Sequence, residues 1–293
     1  MIKKLLWLFL LLPFCAQAQI SGRLLDSESL EPIPYAQITI ANPKVQTYST
    51  ENGQFNFTQL DYDKNYTLSI DALGYFNKEI NSLELNNNPD ILLDLNEEVL
   101  PELYIIPENA KTKIRTYGQT KEGSLNTSAS FCGMVNSGKV NYINSETQEL
   151  DGTEMGILAK TKGLSKVLST HIFIAENDYD EAIIKIQLYD ATGGSPKSPI
   201  IHAPMVFKII NKQTGWFKLS LDDKNIFLDS DVKKIALVAI LVHAEGEASG
   251  CISLSGILPS FKNMAFIKDF ETGQFIKAPF SFPLYLTVET YSW

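Results

Sequence analysis

Short stretches of alternating apolar and polar residues, each ended by turn-forming residues, dominate the chain from residue 20 to residue 95. Residues 35–40, for example, read Tyr-Ala-Gln-Ile-Thr-Ile. Because successive side chains of a strand point to opposite faces, this period of two predicts strands with one buried face. Seven strands are predicted, at 20–25, 35–40, 45–49, 53–58, 66–72, 75–80 and 91–95. Seven short strands at this spacing are typical of a β-sandwich.

The dipeptide Asn52-Gly53 lies where the third predicted strand has ended and the fourth begins. Asn-Gly tolerates the positive φ angles of a tight two-residue turn better than most pairs do. The sequence therefore predicts a β-hairpin at this point.

Five motifs occur in the same part of the chain: ISGRLLD at 20–26, EPIPYAQITI at 31–40, TENGQF at 50–55, YTLSI at 66–70 and GY at 74–75. In order and spacing they resemble the carboxypeptidase regulatory-like domain, over residues 19–96. The resemblance implies a small Ig-like or transthyretin-like sandwich without catalytic residues. Domains of this family accompany a peptidase or stand at the front of TonB-dependent receptors and other envelope proteins of Gram-negative bacteria. An accessory role in the cell envelope is therefore implied.

The first 18 residues have the pattern of a signal peptide. Lys3 and Lys4 precede an apolar run at 5–14, and residues 16–18 read Ala-Gln-Ala, with small residues where a signal peptidase needs them. Cleavage after Ala18 would leave Gln19 as the first residue of the mature protein. We expect an exported protein that is periplasmic, associated with the outer membrane, or extracellular.

Two alternatives to cleavage after Ala18 stay open. The apolar run could be retained as a membrane anchor, although a bilayer span takes about 20 residues. Cys15 could carry a lipid, but Pro13 and Phe14 precede it where a small residue is expected. No later segment is apolar over such a length, so no transmembrane segment is predicted in the mature chain.

Charge and cysteine content limit the partners and the chemistry. Removal of Lys3 and Lys4 with the leader takes the formal net charge from −9 to −11. A negative charge of this size argues against nucleic acid and anionic membrane surfaces as partners. Cys132 and Cys251 remain after cleavage. The oxidising compartment of an exported protein would permit a disulfide bridge between them, and two buried free thiols are the alternative.

Residues 97–130 are predicted to link two domains. Asn and Pro residues at 86–89 interrupt the strand pattern, and residues 110–117 suggest a short helix. Residues 118–130 are polar and rich in Gly, Ser and Thr, which predicts a connecting loop.

Residues 131–293 are predicted to form a second, larger, jelly-roll-like sandwich. Strands of this unit are predicted at 154–160, 168–175, 182–190, 205–210, 216–221, 234–243, 251–255 and 284–290. Residues 235–242 are apolar on both faces, as in a central strand. Thr272-Gly273 predicts a hairpin between 265–270 and 274–277. The segments 174–180 and 215–217 are weakly similar to sandwich modules of exported bacterial proteins that mostly lack an assigned activity.

No catalytic constellation is evident. His171, His202 and His243 are the only histidines, and no Gly-x-Ser-x-Gly motif is present. Residues 193–196, Gly-Gly-Ser-Pro, predict a loop. We therefore expect a protein that is not an enzyme. The alternative is a hydrolase in the second sandwich, which would draw on a pair of carboxylates; the acidic candidates are Asp178, Asp180, Asp222, Asp223 and Glu245.

Two acidic segments are candidate metal sites. Asp178 and Asp180 lie in a short loop of hard oxygen donors, which are the ligands of calcium. A solvated acidic turn is the alternative. His243, Glu245 and Glu247 offer imidazole and carboxylate groups to zinc, without the His-Glu-x-x-His spacing that places two ligands on one helix face. The sequence therefore predicts no cofactor, and calcium is the better of the two metal alternatives.

Aromatic residues could form a platform for sugars, because flat rings cover the apolar faces of pyranoses. Trp216 is the candidate for this role, and burial in the sandwich core is the alternative. Together these features predict an exported, non-catalytic binding or structural module whose partner is a glycan or an envelope protein.

Overall fold

The structure is a computed structural model that describes residues 20–57, 60, 64–86, 88–96, 104–132, 134–136, 139–143, 154–200, 205–246, 250–260, 262–268, 272 and 274–293. The predicted signal peptide lies outside the described residues, as do His202, Glu247 and Gly273. Within the described ranges, no helix is long and apolar enough to cross a membrane.

All seven strands predicted in the first unit are present, with ends that differ by three residues or fewer. They are β1 (Ile20–Asp26), β2 (Gln37–Ala41), β3 (Lys44–Tyr48), β4 (Gln54–Phe57), β5 (Thr67–Asp71), β6 (Lys78–Asn81) and β7 (Asp90–Leu93). A short 3-10 helix, Ser82–Asn86, connects β6 to β7. The all-β class predicted for this unit is confirmed.

Two sheets enclose the core of the first unit. One has the order β4-β1-β7, and the other contains β3-β2-β5-β6. Leu24 and Phe55 of the first sheet share a core with Ile38 and Leu68 of the second, and all four are fully or almost fully buried. Along β2, Ile38 and Ile40 are buried while Gln37 and Thr39 are partly exposed, as the alternation predicts. The predicted sandwich is confirmed.

The Asn52-Gly53 turn is not a hairpin, so this prediction was wrong. β3 pairs with β2, whereas β4 pairs with β1 in the opposite sheet. The turn therefore carries the chain across the sandwich. Its local geometry is as expected, because Gly53 has a φ of 73° and its N–H donates to the carbonyl oxygen of Thr50 over 2.9 Å. The dipeptide specifies a turn conformation, but the strand partners depend on packing between the sheets.

The second unit contains all eight of the strands predicted for it, and the strand at 234–246 lies inside a six-stranded sheet, as expected from its apolar faces. Its strands before residue 191 are β8 (Lys111–Gln119), β9 (Ser124–Cys132), β10 (Met134–Asn136), β11 (Lys139–Ile143), β12 (Glu154–Lys160), β13 (Ser165–Ile174), β14 (Glu176–Asn177) and β15 (Tyr179–Asp190). The later ones are β16 (Met205–Ile210), β17 (Gly215–Ser220), β18 (Phe227–Leu228), β19 (Lys234–Gly246), β20 (Cys251–Gly256), β21 (Ala265–Lys268), β22 (Phe275–Ala278) and β23 (Leu284–Ser292). A 3-10 helix, Asp222–Lys224, precedes β18.

The segment predicted as a linker contains two strands of the second unit. Residues 111–119, predicted mainly as a helix, form β8 and pair with β23 over nine residues. Residues 124–132, predicted mainly as a loop, form β9 and pair with β20. Pairing with later strands decides the conformation of both segments, and β8 shows no apolar alternation that would reveal it. The second unit thus begins earlier than residue 131.

Two larger sheets of the second unit form its sandwich. One has the order β16-β15-β19-β12-β21-β22, and the other has the order β17-β13-β23-β8 with β18 beside β13. Ile184 and Leu237 of the first sheet share a buried core with Ile172 and Leu286 of the second. β21 and β22 pair as the hairpin predicted around Thr272. A third sheet, β14-β20-β9, adjoins them.

The two units are in direct contact. β11 pairs with β3 and so adds a strand of the second unit to a sheet of the first. Tyr35 and Tyr48, from the first unit, are buried in the core of the second. Lys185 of β15 donates from Nζ to the carbonyl oxygen of Tyr35 over 3.0 Å. The interface therefore combines a shared sheet, shared core residues and a buried hydrogen bond.

Cys251 forms a disulfide bond. The backbone register of β20 and β9 places Cys251 directly opposite Cys132. Residues in this relation have Cα atoms at a separation that a disulfide accepts.

Candidate functional site

The outer face of the sheet β17-β13-β23-β8 carries a group of aromatic side chains that we call the tryptophan cluster: Trp216, Phe173, Tyr285 and His171. β17 supplies Trp216, opposite Phe173 of β13, and β23 supplies Tyr285, opposite His171 of β13. Directly opposed residues of antiparallel strands project from the same face. Buried neighbours such as Ile172 and Leu284 fix this face as the outer one. Strand alternation and register thus bring the four rings together.

The rings contact one another in a compact arrangement. The Trp216 ring centroid lies 5.4 Å from that of Phe173 and 5.5 Å from that of Tyr285, in both cases edge to face. Tyr285 stacks on His171 with centroids 4.3 Å apart and ring planes within 5°. Trp216 is 38% exposed, and the other three side chains are partly exposed. The cluster is therefore a solvent-facing aromatic surface with fixed ring orientations.

Polar groups hold the edges of the tryptophan cluster. Trp216 donates from Nε1 to Oε1 of Glu122 over 2.8 Å. His171 Nε2 lies 2.9 Å from Oγ of Ser169 and 3.2 Å from Oγ1 of Thr287. Burial, with a smaller contribution from Lys218, lowers the pKa of His171 below its usual 6.5. At neutral pH the imidazole is therefore uncharged, and it can both donate and accept hydrogen bonds.

Burial also raises the pKa of Tyr285, so its hydroxyl stays protonated near neutrality. Flat rings with adjacent hydroxyl, imidazole and carboxylate groups can cover an apolar ligand face while bonding to polar groups at its rim. The sequence singled out Trp216 but not its three neighbours in this arrangement. The alternation of His171, Ile172, Phe173 and Ile174 was the available signal, because it places two rings on one face of β13.

The predicted calcium residues lie at the start of β15. Asp178 and Asp180 are both exposed and flank the buried Tyr179. The carboxylate of Asp178 accepts a hydrogen bond from the Cys251 N–H through Oδ2 over 3.0 Å. Among the described residues, no group of three or more His, Cys, Asp or Glu side chains is placed to hold a metal ion. Calcium binding at this loop stays a prediction.

His243 lies in a cleft between the two units. The cleft has a volume of about 130 Å³ and its lining includes Tyr35, Glu51, Glu181, Lys208 and His243. Lys208 Nζ lies 3.0 Å from Oε2 of Glu181. His243 Nε2 lies 3.4 Å from Oε1 of Glu245, yet burial lowers the pKa of His243 overall. The cleft is therefore a second polar site. The first unit contributes Glu51 to it, and the second unit contributes Glu181 and His243.

The remaining acidic candidates of the hydrolase alternative lie on the 3-10 helix before β18. Asp222 pairs with Lys166 over 2.8 Å, and Asp223 lies 3.4 Å from Nζ of Lys224. Both carboxylates are exposed. Residues 193–196 form a loop after β15, as predicted.

Residues 20–103 match the family described as the CarboxypepD_reg-like domain. The first unit therefore is a CarboxypepD_reg-like domain, as the sequence resemblance implied. No curated protein matches the chain.

Three solved structures show remote similarity to the chain. A chain of the T13 IBDV viral particle is 8% identical, covers 92% of this chain and 57% of its own length, and has a TM-score of 0.27. A structure of carbohydrate-binding modules of promiscuous specificity, from the β-sandwich super family, is 10% identical. It covers 81% of this chain and 96% of its own length, with a TM-score of 0.20. A chain of infectious bursal disease virus Gt strain is 9% identical, covers 92% of this chain and 55% of its own length, and has a TM-score of 0.19. The chain thus spans little more than half of either viral chain, and TM-scores this low support no function.

Proposed function

We propose that this protein is an exported, non-catalytic binding module of the bacterial cell envelope, and that its second sandwich binds carbohydrate through the tryptophan cluster. A CarboxypepD_reg-like domain joined to a further β-sandwich is compatible with a binding or structural role. The exposed arrangement of Trp216, Phe173 and Tyr285 is the observation that carries the proposal.

The local packing favours a ligand with apolar faces and a polar rim. A tryptophan with no role outside the core would be expected inside the sandwich, whereas Trp216 projects from its outer face. Its indole N–H is held by Glu122, so the ring has one preferred orientation. A preoriented ring loses little conformational freedom when a ligand binds. Pyranose rings present apolar faces bordered by hydroxyl groups, and they suit such a surface.

The export part of the proposal rests on the leader pattern at residues 1–18 and on the implied setting of the first domain. An exported module meets glycans at the cell envelope. The first unit would support the second through their shared sheet, without taking part in carbohydrate binding.

A glycan array probed with the protein lacking residues 1–18 tests the proposal. We expect binding that Trp216→Ala weakens and that Phe76→Ala leaves unchanged. Phe76 is a matched control because it is an exposed aromatic residue, 52% accessible, in the first unit. Absence of glycan binding by the unaltered protein, or equal binding by the Trp216→Ala variant, would refute the proposal.

A hydrolase is the second candidate, favoured by the cleft that contains His243. A partly buried histidine of lowered pKa between carboxylates is a common arrangement for acid–base catalysis. Turnover of peptide or glycoside substrates that His243→Gln abolishes would establish this alternative. We expect no turnover.

A further inference from the structure

A second aromatic group lies on the same outer face, at the opposite end of β23. It consists of Tyr291, Phe227 and Tyr104, and we call it the distal cluster. The centroid of Phe227 lies 6.4 Å from that of Tyr291 and 5.0 Å from that of Tyr104, with tilted rings in both pairs. All three side chains are partly exposed. This face of the sheet therefore carries two separate aromatic surfaces.

Strand register shows that both clusters project to the same side. Tyr285, Thr287, Glu289 and Tyr291 alternate along β23 with fully or largely buried residues, so these four side chains share the outer face. Lys166 of β13 is opposite both Glu289 and Phe227, which places Phe227 on that face as well. Tyr291 lies six positions after Tyr285, or about 20 Å along an extended strand. The two clusters thus mark the ends of one elongated surface.

The surface between the clusters is polar, and its charged groups already have partners. Lys166 pairs with Asp222 over 2.8 Å, and Tyr291 donates from its hydroxyl to Oε2 of Glu289 over 2.6 Å. Thr287 lies within hydrogen-bond distance of His171. These groups can exchange hydrogen bonds with hydroxyls, and together they carry one net negative charge, because the partner of Glu289 is the neutral Tyr291 hydroxyl. A neutral, hydroxyl-rich ligand suits this middle section better than an anionic one, which the carboxylate of Glu289 would repel.

We infer that the tryptophan cluster and the distal cluster are two subsites of one elongated site, which binds an extended neutral polysaccharide lying along β23. The inference rests on the proposed function and adds the length and charge of the ligand. A disaccharide can cover one cluster only. A chain of several sugar units can contact both clusters and the polar groups between them.

Chain-length dependence separates this inference from the proposed function. Calorimetric titrations would use the protein lacking residues 1–18 with disaccharides and hexasaccharides of β-1,4-glucan, β-1,4-mannan and α-1,4-glucan. We expect a hexasaccharide of one series to bind at least tenfold more tightly than its disaccharide. Phe227→Ala should lower the hexasaccharide affinity by about tenfold, the effect of losing one aromatic contact, and leave disaccharide binding unchanged. Trp216→Ala should weaken both, and the control Phe76→Ala neither.

Tyr104→Ala provides a second variant that does not alter a strand, because Tyr104 precedes β8. Should Phe227→Ala unfold, the same length-selective loss in Tyr104→Ala would support the inference. Equal affinity for short and long chains, or equal loss of both in the distal variants, would overturn the elongated site and leave the proposed function standing. Tighter binding to polygalacturonate than to every neutral chain would overturn the neutral ligand. Failure of the unaltered protein to bind any saccharide would reject the proposed function itself.

Discussion

Lys185 Nζ lies 3.0 Å from the carbonyl oxygen of Tyr35, so a lysine of the second sandwich holds the backbone of the first. Lys185 is only 6% exposed, and burial lowers its pKa although Asp71 and Glu154 act in the opposite direction. Tyr35 itself has a φ of 56°, a conformation that usually requires glycine. Its ring is buried in the core of the second unit. Packing between the units therefore holds Tyr35 in an unfavourable backbone conformation.

Two substitutions at Tyr35 separate the stabilisation from burial of its ring from the cost of its positive φ. Tyr35→Ala should lower the free energy of unfolding by about 3 kcal/mol, because it removes a buried ring and keeps the unfavourable φ. Tyr35→Gly should be less destabilising than Tyr35→Ala by about 1 kcal/mol, because glycine adopts this φ without strain. Urea denaturation measures both. A glycine variant less stable than the alanine variant would contradict the strain argument.

Gly53 and Gly215 form a matched pair for the cost of a side chain at positive φ. Gly53 has a φ of 73°, and a Cβ atom there would overlap with the carbonyl oxygen of Leu24. Gly215 has a φ of 104° with no atom near the Cβ position. We expect Gly215→Ala to cost about 1 kcal/mol from strain alone, and Gly53→Ala about 2 kcal/mol or more from strain and overlap. Equal melting temperatures for the two variants would show that the crowding at Gly53 is unimportant.

Trp216→Ala should weaken carbohydrate binding by about 1 to 3 kcal/mol, as the loss of an aromatic hot spot does. The fold should survive, because the indole projects from the outer face of its sheet. Isothermal titration gives the first quantity, and thermal melting followed by circular dichroism gives the second. Unfolding of Trp216→Ala would instead show that the tryptophan cluster is needed for the stability of the fold.

The lowered pKa of His171 predicts a pH dependence of stability. Between the folded-state pKa and 6.5, the unfolded chain binds more protons than the folded one, so the contribution of His171 is complete above pH 6.5 and is lost as the pH falls. His171→Gln should flatten the plot of unfolding free energy against pH in that range. His243 has a lowered pKa as well, so part of the slope should remain until His243→Gln is added. An unchanged slope in the double variant would exclude both histidines as its source.

Processing after Ala18 predicts a mature protein that begins at Gln19. N-terminal mass spectrometry of the protein produced in a Gram-negative host measures this directly. A lipid-modified Cys15 at the N-terminus would contradict the prediction and tether the protein to a membrane.

Strands with one buried face could be located from the sequence because their alternation is local. Residues 205–210, for example, were predicted with the bounds that β16 has, and their side chains alternate between buried and more exposed positions. β8 could not be located from the sequence, because most of its side chains are exposed and its place in the sheet depends on β23. The Asn52-Gly53 turn shows the same limit, since local residues set its φ angle while distant contacts choose the paired strands.

The site was only partly predictable for a related reason. Trp216 could be identified from the sequence because it is a large aromatic residue in an alternating strand. Its neighbours come from β13 and β23, and the register that joins them is not encoded near Trp216. The distal cluster could not be predicted, because Tyr104 reaches Phe227 from a segment assigned to the linker.

The pairing of β11 with β3 has a consequence for how the chain is made. Val45 and Gln46 of β3 face Ile143 and Tyr142 of β11, which the ribosome produces long after the first sandwich. Until then β3 is an open sheet edge, and such edges template aggregation between chains. Nascent chains that stall before Lys139 should therefore aggregate through β3, whereas chains that reach Ile143 carry their own protective strand. The second unit therefore protects the first against aggregation only once synthesis has passed β11.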